Sequence, residues 1–481
     1  MKKIFAWAMA AALICGTGTF TACTTDNGDN PSEQAKKNRT EFITHTRQNL
    51  KTVAENLNFS TWNSINYFNK YVNQYLVLND NFDKTISHTV GQEIQKSLAP
   101  LPAEAAERYG KKYYATVNLA DFDYIFTSTQ TGFDVKPNDE NGLIVEITNP
   151  IAPEMSVRIG LKGSGEEYAI FAERLSNDSV GVAIKVPAHY DFSFSTLQNG
   201  QWVENMSVCT ELTVARGQYD EPYLPADAAD IRKDTWSLKG TIKSTIPGDA
   251  VEASFKVGQD PKTHKANLAL DYAHNGTKMV GLTAEMTNSN GMTDLSQLIS
   301  ANGLTNTTNS IMDIMQAIML GNSLDNMQLT LLDDLTTNVK VSDCEKVLVL
   351  QSEMAKARRS YADQKTIEGY VSQLNEYISG SMTCKGLNNM QIPMKLTTHK
   401  IGVDWWAAPA LNFADENGYV SLYDMLDKES AEYCINIIDH TSQPMKESII
   451  VVRQLVQALQ KMQNAFYSSQ KSAGKLGLIQ Q

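Results

Sequence analysis

Two carboxylates, Asp121 and Asp123, form the candidate pair for acid–base chemistry in this chain. They are two residues apart in an alternating segment, so they lie on one side of a strand, about 6.5 Å from each other. Glycosidases use two carboxylates about 5–10 Å apart as acid and as nucleophile or base, which permits a glycan hydrolase. Phe122, Tyr124 and Phe126 make the opposite face aromatic. Because a strand with one apolar face has a solvated second face in any case, we favour a non-catalytic interpretation.

A second candidate site is aromatic. Asp404, Trp405 and Trp406 are adjacent and are followed by Ala407-Ala408-Pro409. Exposed indole rings can stack on sugar faces, and a carboxylate beside them can accept hydrogen bonds from sugar hydroxyls. Adjacent tryptophans also commonly fill the seam between two packed layers. The sequence thus indicates either glycan contact or interlayer packing at this position.

A third candidate is a strongly apolar helix predicted over Ile311–Leu320, which contains Met312, Met315 and Met319. Methionine is flexible and polarizable, so a stripe of methionines can line an adaptable apolar groove. Packing in a hydrophobic core is the alternative for the same stripe. An apolar molecule therefore stands beside a glycan as a ligand class.

Signatures of common enzyme classes are absent from the sequence. It contains no HExxH, GxSxG, Walker A or GxGxxG motif. The seven histidines are scattered, and no two of them lie within five residues of each other, so no short pair of metal ligands exists. We expect no metal and no cofactor, and we favour a protein that is not an enzyme.

The first 23 residues carry a targeting signal. A pair of lysines precedes the apolar run Ile4–Cys15, which is too short to span a bilayer permanently, and Phe20-Thr21-Ala22-Cys23 follows. This segment resembles a bacterial lipoprotein signal, whose lipobox ends in a small residue and Cys; Phe20 stands where that motif usually has Leu. The resemblance implies removal of residues 1–22 and attachment of a diacylglycerol and an N-acyl chain to Cys23. Several acyl chains hold a protein stably on a membrane.

Residues 23–40 are predicted to form a flexible tether, since the stretch after Cys23 is polar and contains Gly and Pro. Thr24 rather than Asp directly follows Cys23, which by the sorting rule of enteric bacteria implies the outer membrane. Asp26 and Asp29 resemble the acidic export signal of surface lipoproteins in the Bacteroides group. We therefore expect a lipid-anchored protein of the outer membrane, on its periplasmic or cell-surface side.

Asp178-Ser179-Val180 follows an asparagine at a predicted hairpin tip. The tripeptide resembles the Asp-Ser/Thr-apolar acceptor of O-glycosylation in the Bacteroides group. The resemblance implies a glycan on Ser179, and a bare turn is the alternative.

The remaining cysteines, Cys209, Cys344, Cys384 and Cys434, are an even set in an exported chain. Four cysteines allow three disulfide pairings, and the sequence does not choose among them. Cys344 and Cys434 lie in helical patterns, where buried free thiols are common. Disulfides and free thiols both remain open.

The hydrophobic period divides the chain into regions. Residues 41–110 are predicted to be helical, 111–290 to form antiparallel strands, and 291–481 to be mainly helical with short strands. A capping box beginning at Ser342 precedes a long helix that we expect to stop near Gly380. The predicted fold class is α+β, with N-terminal helices, a large antiparallel meander with one solvated face, and a helical C-terminal part packing on its apolar face.

One hairpin in the meander has a predicted register. A two-residue turn at Asn275-Gly276 would pair Leu270 with Gly281 and waste the apolar face. A three-residue loop that includes His274 pairs Leu270 with Val280 instead and places Gly276 at a left-handed position. We therefore predict the three-residue loop.

Composition limits the function. The chain of 481 residues is 42% hydrophobic, enough for a sizeable core, and its net charge of −12 disfavours nucleic-acid binding. With the signal resemblance, this predicts a membrane-tethered cell-envelope lipoprotein with a non-enzymatic binding or assembly role. Its expected partners are the membrane, through the lipid on Cys23, and an envelope protein, a glycan or a lipid. The alternative is an envelope glycan hydrolase that uses Asp121 and Asp123.

Overall fold

The protein has a mixed α+β fold with a largely antiparallel meander, as the fold class predicts. The chain forms two compact units. Among the described residues, the first unit holds those in 31–56, Ala253–Phe255 and those in 264–433, and the second holds those in 84–252 and in 256–263. The computed structural model describes residues 31–56, 84–85, 88–89, 92–93, 96–100, 103, 107, 113–173, 180–215, 235–244, 250–260, 262–287, 323–401, 403–415, 417–425, 429–430 and 433.

The second unit is built mainly from strands. They are β1 (Ala99–Pro100), β2 (Tyr113–Asn118), β3 (Tyr124–Ser128), β4 (Phe133–Pro137), β5 (Leu143–Ile147), β6 (Val157–Glu173), β7 (Val180–Gln198), β8 (Gln201–Ala215) and β9 (Thr235–Ser244). Most neighbours are antiparallel, as predicted for 111–290. Two pairs, β2 with β7 and β3 with β5, are parallel and correct that prediction. In the second pair, β4 lies antiparallel on one edge of β3, so the returning β5 runs parallel along the other edge.

The predicted solvated face is present in this unit. Val157 and Ile159 are buried on β6, as their alternation predicts. On the exposed side, Lys239 Nζ lies 2.8 Å from Glu211 of the neighbouring strand, and both side chains are more than one-third exposed. Such cross-strand pairs are solvated and contribute little to stability.

The first unit combines helices and strands. Its elements are α1 (Pro31–Asn56), β11 (Lys265–His274), β12 (Thr277–Thr287), β13 (Ser323–Leu331), β14 (Leu335–Val341), α2 (Cys344–Arg359), α3 (Gln364–Tyr377), β15 (Ile378–Cys384), β16 (Met390–Ile401), β17 (Asp404–Asn412), β18 (Tyr419–Ser421) and α4 (Leu422–Met425). Strand β10 (Val251–Asp260) is divided between the units. Strands β11 to β18 pair in sequence order, each antiparallel to the next.

Helix α1 corrects the predicted tether. The helix begins at Pro31, so the last part of the 23–40 segment is helical. Proline suits the first turn of a helix because its missing N–H has no partner there anyway, and Glu33 complements the helix dipole. Phe42, Leu50 and Val53 are buried on one side of α1, against the sheet. Residues 41–56 of the predicted 41–110 helical region are helical, and so are several described residues between 84 and 107. The short strand β1 at Ala99–Pro100 corrects that prediction.

The C-terminal region holds more strand than predicted. In the described part of 291–481, strands β13 to β18 account for most of the regular structure, and β16 alone has 12 residues. The missed signal is the alternation Leu335, Thr337, Val339, Val341, all buried on one face of β14. Val339 and Val341 on this face pack with α2 and α3, whereas Leu335 packs with Phe42 of α1.

The predicted long helix is two helices. Asp343 caps α2 by accepting a hydrogen bond from Lys346 N at 3.0 Å, and Asp363 caps α3 by accepting one from Thr366 N at 2.9 Å. Between them, Tyr361 has a positive φ of 54°. The second cap lets the chain turn, so α3 begins a new direction and ends at Tyr377, where β15 follows.

The β11–β12 hairpin has a two-residue loop, so the predicted three-residue loop is wrong. Asn275 and Gly276 both have positive φ, 48° and 79°. A type I′ turn requires positive φ at both central positions. His274 therefore pairs with Thr277 directly across the turn.

A β-bulge restores the apolar pairing that a plain two-residue loop would lose. Between Tyr272–Val280 and Ala273–Lys278 the register shifts by one residue, which leaves Met279 as the extra residue. Leu270 then pairs with Leu282 on the apolar face. Met279 is buried against Leu50 and Val53 of α1, so the bulge also supplies a core side chain.

Candidate functional site

The residues Asp404, Trp405 and Trp406 begin strand β17, where an arginine from α2 meets them. The guanidinium carbon of Arg358 lies 2.9 Å from the centre of the Trp406 ring. We call this contact the Arg358–Trp406 stack. It brings the turn after α2 next to the turn before β17.

The local sequence explains how the arginine reaches the ring. Val347, Leu350 and Met354 are the buried side chains of the α2 face that packs on the sheet. Arg358 follows Met354 by four residues, so its side chain leaves the same face of the helix. Methylene groups of arginine pack on apolar surface while the guanidinium reaches further, here to the indole.

Two hydrogen-bond donors in the stack have no acceptor among the described residues. They are Trp406 Nε1 and Arg358 Nε, and both atoms are buried. Burial lowers the pKa of Arg358, and the nearby charge of Asp404 opposes that shift. An unpaired buried donor costs about 1–3 kcal/mol. The stack is therefore a place where an incoming acceptor would lower the free energy.

Trp405 has a different environment. Its half-buried ring packs against the hydrophobic core beneath α2 and α3, together with Ala407. The ammonium group of Lys400, its cross-strand partner, lies 5.5 Å from the ring centre. The structure thus places part of the aromatic pair at the seam between layers, and it leaves a cation beside the indole.

Two exposed side chains occupy the turns on either side of the stack. Tyr361 is 80% exposed in the α2–α3 turn, and Val403 is 77% exposed immediately before β17. A tyrosine with positive φ is uncommon, and such backbone strain concentrates at functional sites. Neither Arg358 nor Tyr361 was predicted from the sequence. The four-residue spacing from Met354 places Arg358 on the buried face of α2 but does not identify Trp406 as its partner.

The two candidate acidic residues have separate partners. Asp121 and Asp123 do not lie on a strand, which corrects that prediction: Asp121 ends a short 3₁₀ helix, and β3 begins only at Tyr124. Asp121 is exposed and accepts a hydrogen bond from Asn118 Nδ2 at 3.1 Å. The Asp123 carboxylate accepts a hydrogen bond from the backbone N–H of Gly142 in the hairpin loop that precedes β5. Phe122 and Phe126 are buried, as predicted, with Tyr124 between them. Each carboxylate thus has a local structural role.

Several predicted sites lie outside the described residues. These are Cys23, Ser179, Cys434, Met312, Met315 and Met319. Among the described cysteines, Cys209, Cys344 and Cys384 are free thiols. Within the part of the chain that the structure describes, no helix combines the length and the apolar character needed to span a membrane.

A second cluster of polar side chains lies beside α1. Asp334, in the β13–β14 turn, accepts hydrogen bonds from Asn49 Nδ2 at 2.5 Å and from Gly386 N at 2.7 Å. His45 Nε2 lies 2.6 Å from the same carboxylate, and Cys384 Sγ lies 3.7 Å from it. Burial raises the pKa of Asp334, but the bonds from Asn49, Gly386 and His45 together hold it below its usual value.

Comparisons with protein-family models, with curated proteins and with solved structures find no match. A proposal for the function of this chain therefore rests on its own sequence and geometry.

Proposed function

We propose that this protein is a membrane-tethered lipoprotein of the bacterial cell envelope that binds glycans at the Arg358–Trp406 stack. The proposal is a non-covalent binding role, without a catalysed reaction. The observation that carries it is the pair of buried donors, Trp406 Nε1 and Arg358 Nε, without an acceptor among the described residues. Sugars are dense in hydroxyl and ring oxygens, which are the acceptors that these donors lack.

The aromatic groups around the stack fit a sugar. The planar guanidinium of Arg358 covers the Trp406 ring, as a pyranose ring covers an indole in sugar binding. Exposed Tyr361 offers a second aromatic surface at the neighbouring turn. Asp404, half-buried next to Trp405, can accept hydrogen bonds from sugar hydroxyls.

Binding proceeds by exchange at the indole. The sugar takes the place of the guanidinium on Trp406, and Arg358 turns toward the oxygens of the ligand. Both groups then have acceptors, and the guanidinium regains some of the solvation that burial removed. An acidic sugar gains more than a neutral one, because its carboxylate forms charge-assisted hydrogen bonds with arginine.

The membrane tether rests on the lipobox resemblance at Phe20–Cys23. Cys23→Ala removes the acylated residue, so the variant should leave the membrane fraction of cells and appear in the soluble fraction. Wild-type protein should stay with the membranes after a high-salt wash, and labelled palmitate should enter it but not the variant. A variant that still sediments with membranes would contradict the anchor.

Glycan binding is tested with the purified chain on an array of neutral and uronic-acid oligosaccharides. Calorimetry on the oligosaccharide that binds then compares Trp406→Ala with Trp202→Ala. Trp202 is the matched control because Arg158 also stacks on it, with 4.8 Å between the guanidinium carbon and the ring centre.

We expect Trp406→Ala to weaken binding at least about tenfold, the equivalent of 1.4 kcal/mol, and Trp202→Ala to leave it unchanged. Far-ultraviolet circular dichroism checks that both variants are folded. The proposal is wrong if the wild type binds no oligosaccharide on the array, or if the two variants lose affinity equally.

A further inference from the structure

Three chemically different donor atoms from distant segments meet beside α1, in the first unit. They are His45 Nε2 on α1, a carboxylate oxygen of Asp334 in the β13–β14 turn, and Cys384 Sγ at the end of β15. The three donor atoms lie within 4.8 Å of one another. Nearly 340 residues separate His45 from Cys384, which explains why a search for short ligand spacings finds nothing.

The separations of the donor atoms suit a tetrahedral metal. Zinc bonds of about 2.0–2.3 Å place neighbouring ligand atoms about 3.3–3.7 Å apart. The 3.7 Å between Cys384 Sγ and Asp334 Oδ1 already matches that spacing. The 2.6 Å between His45 Nε2 and Asp334 Oδ2 has to open by about 0.7 Å, which a small rotation of the partly exposed imidazole provides.

The carboxylate is held in place by groups that do not have to move. Asn49 Nδ2 donates to Oδ2 of Asp334, and the backbone N–H of Gly386 donates to Oδ1. The N–H of Lys385 donates to the Asp334 carbonyl oxygen at 3.1 Å. Metal sites commonly have such outer hydrogen bonds, which orient the ligands.

Gly386 also lets the backbone approach the cluster closely. A Cβ atom at this position would lie 2.8 Å from two atoms of the His45 ring. Any other residue would therefore push the imidazole away from Asp334. The glycine keeps the ligands within reach of each other.

An ion can reach this cluster from solvent. The side chain of His45 is 32% exposed and that of Asp334 is 18% exposed, whereas Cys384 is buried. Burial raises the pKa of the Cys384 thiol to about 11, and the charge of Asp334 adds to the shift. The metal-free thiol therefore carries its proton at neutral pH.

We propose that His45, Asp334 and Cys384 form a binding site for a zinc-like divalent transition metal. The mixture of one sulfur, one imidazole nitrogen and one carboxylate oxygen favours zinc over calcium or magnesium, which prefer all-oxygen shells. Binding forms the metal–sulfur bond and releases the thiol proton to water, with no change of oxidation state. In the metal-free form Nε2 of His45 carries the proton that it donates to Asp334. Metal binding therefore requires this proton to move to Nδ1 by exchange with water, which frees the Nε2 lone pair for the metal. Three protein ligands leave a fourth tetrahedral position for water or another small oxygen or nitrogen donor.

Cobalt(II) substitution tests the site in the purified full chain after chelator treatment. Cobalt bound by a thiolate gives a sulfur-to-metal charge-transfer absorption in the near ultraviolet, which a nitrogen–oxygen site lacks. We expect this band to saturate at one cobalt per chain and to disappear when one equivalent of zinc is added. Its appearance should be accompanied by release of one proton at neutral pH.

Two variants each remove one proposed ligand, and a third serves as the control. Cys384→Ser should abolish the band and lower zinc affinity by at least about tenfold, and His45→Gln should lower affinity similarly while retaining a weakened band. Cys344→Ser is the matched control, because Cys344 is also a buried free thiol in the same unit. It should leave both readouts unchanged.

A rise in melting temperature with zinc, present in the wild type and in Cys344→Ser but absent in Cys384→Ser, is the corresponding stability readout. Absence of a band from the wild type, or a band that Cys384→Ser retains, would show that the cluster is only a hydrogen-bonded junction. If Cys384→Ser does not fold, His45→Gln still tests the site. His45 is partly exposed, and the glutamine that replaces it can still donate a hydrogen bond to Asp334, so this variant is expected to fold.

Discussion

Two arginine–tryptophan stacks, one in each unit, differ in how the arginine is paired. In the second unit, Arg158 lies over Trp202 and also donates from Nε to Glu146 Oε1 at 3.0 Å. In the first unit, Arg358 lies over Trp406, and its Nε has no acceptor among the described residues. The same pair of residue types is thus fixed in one place and incompletely satisfied in the other. A buried donor without an acceptor is uncommon in native proteins and calls for an explanation, which the proposed glycan would supply.

The Asp334 cluster extends this contrast to a carboxylate. Both of its oxygens accept hydrogen bonds, and the partners come from α1 and from the chain after β15. The cluster therefore joins separate elements of the first unit through hydrogen bonds alone. Substitutions in the fully hydrogen-bonded Asp334 cluster should therefore lower the free energy of unfolding more than substitutions in the Arg358–Trp406 stack.

The largest effect is expected for Asp334→Asn. The amide cannot accept all of the bonds that the carboxylate accepts, so donors on Asn49, His45 or Gly386 lose a partner. We expect the free energy of unfolding to fall by about 2–3 kcal/mol in metal-free buffer, measured by urea unfolding. Asp333→Asn is the matched control, since the exposed Asp333 forms a surface ion pair with exposed Lys385. Its cost should be below about 1 kcal/mol. Equal costs would show that the cluster is not a structural junction.

A smaller effect is expected for Gly386→Ala. The new Cβ atom would meet the His45 ring at 2.8 Å and Asp334 Oδ1 at 3.3 Å, so the junction has to open. We expect a loss of about 1–2 kcal/mol in thermal or urea unfolding. Gly369→Ala provides the control, because Gly369 lies in α3 and a Cβ there meets nothing within 4 Å. That change should stabilise the helix by about 0.5–1 kcal/mol, so the two variants should differ in sign.

The two stacks are compared directly by Arg158→Ala and Arg358→Ala. Loss of Arg158 leaves the largely buried Glu146 carboxylate without its charged partner and should cost about 1–2 kcal/mol. Loss of Arg358 removes a cation–π contact but also removes a buried unpaired donor, so its cost should be below about 1 kcal/mol. Urea unfolding of both variants measures the difference. A greater cost for Arg358→Ala would mean that this arginine is structural after all.

The smallest expected effect is on the pH dependence of stability. The pKa of Asp334 lies below its usual value of 3.8, so its stabilising contribution is complete above that pH. The contribution is lost as the pH falls through the lowered pKa, because the folded state resists protonation more than the unfolded state does. Between about pH 5 and pH 2, the wild type should therefore lose more stability than Asp334→Asn does. Parallel loss in both proteins would assign the acid sensitivity to other carboxylates.

Local sequence patterns predicted individual strands better than the loops and the register that join them. The alternation along β6, β11 and β12 identified these strands correctly, since each strand repeats every two residues. The predicted apolar face is largely buried on β12 and only partly buried on β11. The predicted length of the hairpin loop was wrong because the prediction assumed a regular register without a bulge. The bulge at Met279 restores the apolar pairing with a two-residue loop. Bulges depend on what the extra side chain packs against, here α1, which no local pattern contains.

The Arg358–Trp406 stack and the Asp334 cluster also differ in how far the sequence could predict them. Trp405 and Trp406 could be singled out from the sequence because adjacent indoles are chemically distinctive. Arg358 could not, since one arginine near a helix end has nothing that marks its partner. The His45, Asp334 and Cys384 cluster was missed entirely, as its ligands have no short spacing.

The sequence by itself determined strands β6, β11 and β12 and most of the buried faces of α1 and α3. Lipid attachment at Cys23 stays a prediction from the sequence. Each of these follows from residues close together in the chain, where side-chain period and order act directly. Only the tertiary structure decided that Arg358 covers Trp406 and that His45, Asp334 and Cys384 converge. Those contacts join segments far apart in sequence, so they depend on strand register and helix placement, which are set by the packing of the whole unit.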